Sequence, residues 1–113
     1  EDPNVVKAAL DKNLTIHFFS RSHIPHDCIS GYRQLGMIGL TKKALNEYVS
    51  LLPTPLEKVE SIDMMRLIEN DFSIQGVLST SPILGVDTPQ DLKKVEKIMM
   101  NDKFVNLYKK KYI

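Results

Sequence analysis

Residues 4–20 read NVVKAALDKNLTIHFFS. Two apolar runs, NVVKAAL and LTIHFFS, flank the turn residues Asp11–Asn13. Aspartate and asparagine hydrogen-bond their own backbone and tolerate left-handed turns, so the stretch predicts a β-hairpin. Lys7 falls inside the first run as the exposed alternate position of a strand, with no functional role.

After the hairpin, SRSHIPHDCISG (20–31) is polar, carries one proline and predicts a loop. RQLGMIGLT (33–41) is a short apolar run ending at Thr41. TKKALNEYVSLL then predicts a helix capped by Thr41, with Ala44, Leu45, Tyr48 and Val49 on one face. In PTPLEKVESIDMMRLIEND, Thr54 is a cap, Pro55 opens the helix and Glu57 stands three residues after the cap, a capping-box pattern. Leu56, Val59, Ile62 and Met65 recur along one side of that helix. FSIQGVLST (72–80) predicts a strand. The same start signal returns in GVDTPQDLKKVEKIM (85–99) as Thr88, Pro89 and Asp91, with Leu92, Val95, Ile98 and Met99 as a buried stripe. NDKFVNLYKKKYI predicts a further short amphipathic helix, and KKKY a solvated tail. Strands alternate with helices, so the fold class is α/β.

The chain has 113 residues, 42% of them hydrophobic, enough for one modest core and not for two. Net charge is +1, so no strong field points to nucleic acid or a membrane surface. No apolar run approaches the length of a spanning helix, and no signal-peptide pattern opens the sequence. The one cysteine, Cys28, excludes an internal disulfide and fits a reducing compartment, so a cytoplasmic location is expected. The abrupt opening EDPNVVKAAL implies a piece of a longer protein.

Asp87 raises the question of function. It sits between an apolar strand-like stretch and a helix start, where α/β sheets gather ligands. The competing reading is that an acidic residue before a helix favours the positive end of its dipole. The three histidines lack cysteine partners and HExxH spacing, so zinc is not expected. Cys28 has no base partner in sequence and reads as an inert thiol. Met64, Met65, Met99 and Met100 read as core filling.

GVDTPQDLKKVE resembles the "GVDTPEDLxxV" close of the sugar-acid cytidylyltransferases that make CMP-3-deoxy-manno-octulosonate, the CMP-Kdo synthetases. Three more stretches resemble that family in the same order. DPNVVKAALDKNLTIHFFSRSHIP is similar to "PNxVKVVxDxxGxALYFSRxxIP", RQLGMIGLTKKALNEYV to "RHxGIYxYRxxFLxxYV", and LLPTPLEKVESIDMMRLIEN to "xxPSPLExIExLEQLRxLxxG". The similarity covers residues 3–97.

The resemblance implies part of a Rossmann-like nucleotidyltransferase sheet flanked by helices. It implies transfer of CMP from CTP to a 2-keto sugar acid, with release of pyrophosphate. Asp87 is then a catalytic metal ligand for Mg²⁺, which takes hard oxygen donors and phosphate oxygens. Arg21 of the "FSR" motif is a substrate-carboxylate partner. Glu57 and Glu60 lie near sugar hydroxyls or, alternatively, on a solvated face, Glu57 having a capping role as well. Gln34, where the family has His, remains a substrate-binding candidate. Ile38 and Leu40 replace two family tyrosines, Met64 replaces a glutamine, and Cys28 stands where a basic residue is expected. Those changes imply a sugar other than Kdo.

The family's N-terminal nucleotide loop, of the type "AxRxxSxRLPxKxL", and its second acidic metal ligand have no counterpart here. Residues 1–113 are therefore expected to form the C-terminal, sugar-binding and dimerising portion of a homodimeric enzyme. By itself that portion is expected to be inactive. The alternative is a non-catalytic binding or assembly module that kept the fold.

Overall fold

The computed structural model describes residues 2–80, 83–105, 107 and 108. It comprises two compact units, Glu1–Ser79 and Thr80–Ile113.

The first unit is built on the hairpin. Strands β1 (Lys7–Leu10) and β2 (Thr15–Ser20) pair antiparallel, Ala8 opposite Phe19 and Leu10 opposite Ile16, with an irregularity between Ala9 and Leu10. The Asp11 carboxylate closes the turn by accepting from Asn13 N at 2.8 Å and Thr15 N at 3.0 Å. Leu14 takes φ 64°, the left-handed step that lets the chain reverse. β3 (Tyr32–Arg33) pairs with β1, and β4 (Ile74–Gln75) pairs with β2. Gly76 N donates to Leu14 O at 2.8 Å, and a Cβ on Gly76 would stand 2.8 Å from Leu10 Cδ2 and 3.0 Å from Leu14 O, so any larger residue would have to push the leucine aside and crowd the backbone.

The sheet order is β3-β1-β2-β4 and every pair is antiparallel. The mixed helix and strand content stands, while the described residues show an antiparallel sheet and not the parallel strands of a Rossmann-like one. A turn of a few residues can join only antiparallel strands; a parallel pair needs a crossover of a dozen residues or more. The strand expected over 72–80 shrinks to two residues.

The helices of this unit are α1 (Lys42–Ser50), α2 (Pro55–Glu60) and α3 (Met65–Glu69). Thr41 Oγ1 accepts from Ala44 N, as its capping role predicts. The expected long helix from Pro55 breaks at Ser61, which adopts φ 54° and ψ 46°. This break turns Ile62, Met64 and Met65 inward while Val59 stays 80% exposed, so the single stripe of Leu56, Val59, Ile62 and Met65 does not form. The core is Ala8, Phe19, Ile62, Met64, Met65 and Leu67, with Met65 fully buried. Phe19 N donates to Met65 Sδ at 3.4 Å, tying β2 to the start of α3.

The second unit contains α4 (Pro89–Met99). Its start follows the expectation: Thr88 Oγ1 accepts from Asp91 N at 3.2 Å, and Asp91 Oδ2 accepts from Thr88 N at 3.2 Å. Its stripe does not. Leu92 is 48% exposed, Ile98 53% and Met99 44%, against the expectation that they are buried. A helical stripe is buried only where a second apolar surface covers it, and the periodicity cannot supply that surface. Backbone hydrogen bonds to Phe104 O from Leu107 and Tyr108 show helical turning in the tail, while KKKY (109–112) falls outside the described residues.

Candidate functional site

Arg21 and Glu60 meet at the end of β2. Ser20 is buried, and its hydroxyl donates to the Glu60 carboxylate at 3.0 Å while accepting from Ser22 N at 3.0 Å. Arg21 N donates to Glu60 Oε2 at 3.1 Å. The Arg21 side chain then spans back to three carbonyls: Nε to Glu60 O at 3.0 Å, Nη2 to Ser61 O at 3.1 Å and Nη1 to Pro3 O at 3.1 Å. A guanidinium has five N–H groups, so these three bonds leave two for another acceptor. Lys7 also has a structural task here, which the sequence did not reveal. Its ammonium donates to Asp2 O at 2.6 Å and Arg21 O at 2.7 Å.

Glu57 faces inward on α2. Its two oxygens take Arg66 Nη2 at 2.5 Å and Nε at 2.8 Å, and Oε2 also accepts from Thr54 N at 3.1 Å. The side chains are only 12% and 16% exposed. Arg66 continues to Leu51 O at 3.3 Å and lies 4.8 Å from the Tyr48 ring centroid, so one cation links α1, α2 and α3. The paired guanidinium holds the Glu57 carboxyl below the ordinary glutamate range and raises Arg66 in turn. Burial raises the Tyr48 phenol. Glu69 stands over the start of α2, accepting from Leu56 N at 3.1 Å and Glu57 N at 3.3 Å. The capping pattern pointed to Glu57, but nothing in the sequence pointed to Arg66 or Glu69, because their partners are set by the break at Ser61.

Gln34 follows β3 and is partly buried; its backbone N–H donates to Val6 O at 2.9 Å. In the polar loop, Cys28 Sγ lies 3.5 Å from His23 Nε2. The thiol therefore has an imidazole neighbour, contrary to the expectation from sequence. Asp87 belongs to the second unit. It is exposed, immediately before the Thr88 cap, and makes no side-chain hydrogen bond or ion pair among the described residues. A carboxylate with its lone pairs open at a helix start suits a hard cation held mainly by phosphate oxygens and water. Among the described residues, no group of three or more His, Cys, Asp or Glu side chains is placed to enclose a metal by itself.

The chain matches no family model. It is 41% identical over 104 residues to a 3-deoxy-manno-octulosonate cytidylyltransferase of Chlorobium limicola, covering 88% of this chain and 42% of that protein. By sequence, the chain matches the C-terminal two-fifths of proteins named as CMP-Kdo synthetases. The Fusobacterium nucleatum relative, under the same cytidylyltransferase name, is 37% identical over 99 residues, or 84% of this chain and 40% of its own length. A solved structure of CMP:2-keto-3-deoxy-manno-octonic acid synthetase complexed with CTP matches with a TM-score of 0.74 at 30% identity. That match covers 88% of this chain and 43% of the synthetase. The chain thus spans about two-fifths of the length of the CMP-Kdo synthetases it matches. No described helix is long and apolar enough to cross a membrane.

Proposed function

We propose that this segment supplies the sugar-acid side and one metal-binding carboxylate of an enzyme that transfers CMP from CTP to a Kdo-like 2-keto sugar acid. The observation that carries the reading is the 41% identity over 104 residues to a protein named for that transfer. Likeness to a synthetase solved with CTP supports CTP as donor. The sugar's anomeric hydroxyl attacks the α-phosphate, and pyrophosphate leaves. Asp87 would hold Mg²⁺, which when bound would neutralise charge on the nucleotide's phosphates. Arg21 receives the substrate carboxylate on its two remaining N–H groups, a charge-assisted pairing. Gln34, Glu57 and Glu60 border the sugar, the two glutamates by fixing the walls around it. The nucleotide loop and a second acidic ligand come from an N-terminal part of the same protein, and the whole enzyme is a cytoplasmic homodimer. Residues 1–113 alone turn nothing over.

The test is pyrophosphate release by the longer protein carrying this segment, given CTP, Mg²⁺ and a series of 2-keto sugar acids. Asp87→Asn is expected to lower kcat more than about 100-fold, beyond the loss usual for a residue that only supports a ligand. A variant as fast as its parent would remove Asp87 from the chemistry. One observation favours a second reading, a binding or assembly module: Glu57 and Glu60 both spend carboxylate oxygens on internal partners. A folded full-length protein that releases no pyrophosphate with any acid in the series would select that reading.

A further inference from the structure

We infer that Glu60 is a positioning residue that sets the Arg21 guanidinium for its ligand, an inference that rests on the role of Arg21 proposed above. Glu60 holds Arg21 at both ends. Its carboxylate accepts from Arg21 N and from the Ser20 hydroxyl, which fixes the backbone where β2 ends. Its main-chain carbonyl accepts from Arg21 Nε, which fixes the side chain. Ser61 in the left-handed region places the next carbonyl against Nη2, and Pro3 O takes Nη1.

A free arginine loses rotamer freedom when it binds a carboxylate, and that loss weakens binding. Here the loss occurs on folding. The two unused N–H groups are held in one plane before any substrate arrives. Lysine cannot reproduce this, because an ammonium has three donors and no planar fork. Glutamine at position 60 can place its one oxygen where Oε2 accepts from both Arg21 N and Ser20 Oγ, but it lacks the charge that strengthens those bonds, so the hold on the end of β2 weakens. Ser20 sits between them as a link: its hydroxyl accepts a hydrogen bond from Ser22 N and donates one to the Glu60 carboxylate.

The experiment is steady-state kinetics on the longer protein with Glu60→Gln, Arg21→Lys and the double variant. Circular dichroism and melting curves confirm folding, and Ser20→Ala serves as a milder substitute if Glu60→Gln does not fold. Glu60→Gln is expected to raise KM for the sugar acid about tenfold, the scale of one hydrogen bond to a charged group. KM for CTP should stay within about twofold, since no donor to the nucleotide is lost. In the Arg21→Lys background, Glu60→Gln should add nothing further, because Glu60 acts through Arg21. Equal rises in both KM values, an unchanged sugar-acid KM, or additive effects in the double variant would overturn the positioning role and leave the proposed reaction intact. A parent without turnover on any 2-keto acid would instead overturn the reaction, and the assignment built on it.

Discussion

The two helices that open with Thr-Pro show how much a start signal decides. α2 and α4 each have a threonine cap, a proline at the first position and an acidic residue three after the cap. The tertiary outcomes differ. The segment from α2 into α3 buries Ile62, Met64, Met65 and Leu67 against Phe19 and Ala8, and its charges are tied by Arg66 and Glu69. In α4 no residue is buried. Capping satisfies N–H groups that would otherwise lack partners, a local matter of about 1 kcal/mol. Burial requires another surface, and it sets most of a domain's stability.

The largest expected effect tests that contrast in the core. Met65→Ala should destabilise the first unit by about 2–5 kcal/mol, since a fully buried side chain leaves a cavity. Chemical denaturation followed by circular dichroism measures it. A loss below about 1 kcal/mol would mean that the core collapses around the gap or that its packing is not as described.

Glu57 comes next. Its pairing with Arg66 lowers its pKa on folding, so its contribution is complete above the ordinary glutamate range. That contribution is lost as pH falls through the depressed folded value. Arg66 is raised, so its own proton stays bound throughout the neutral and acid range. Glu57→Gln should lower Tm measurably at neutral pH, where the pairing with Arg66 is complete. It should also flatten the acid limb of the stability profile. Melting curves across the acid range read both effects, and an unchanged acid limb would detach Glu57 from the linkage.

The hairpin was readable because its information is local: Asp11, Asn13 and the flanking apolar runs set the turn wherever the chain goes next. The caps at Thr41 and Thr88 were readable for the same reason, as was the bond from Thr54 N to Glu57, although the Thr54 hydroxyl itself is buried without a partner among the described residues. The break at Ser61 was not, because a left-handed serine has no local signature and is imposed by the pull of Ile62 and Met65 into the core. The antiparallel sheet was missed because alternation of element types does not give strand direction, and β3 and β4 pair over only two residues each. Of the candidate site, Arg21 and Glu60 were marked by resemblance, yet their mutual bonds follow from that same break. The apolar period of α4 correctly gave a helix face but carried no information about what lies on it.

The smallest effects sharpen the comparison from the side of α4. Thr88→Ala removes the oxygen that accepts from Asp91 N and should cost about 1 kcal/mol of local helix stability. Hydrogen exchange of the Asp91 and Leu92 amides reads it. Leu92→Ala, one turn further on the exposed stripe, should fall within about 0.5 kcal/mol, as surface substitutions do. The order matters more than either value. If the cap is worth more than the leucine, α4 in this chain is held by its own first turn and its stripe adds little. If Leu92→Ala costs more than Thr88→Ala, the stripe is covered in solution. α4 would then be stabilised as the α2–α3 segment is, by burial, and the difference drawn between the two helices would disappear.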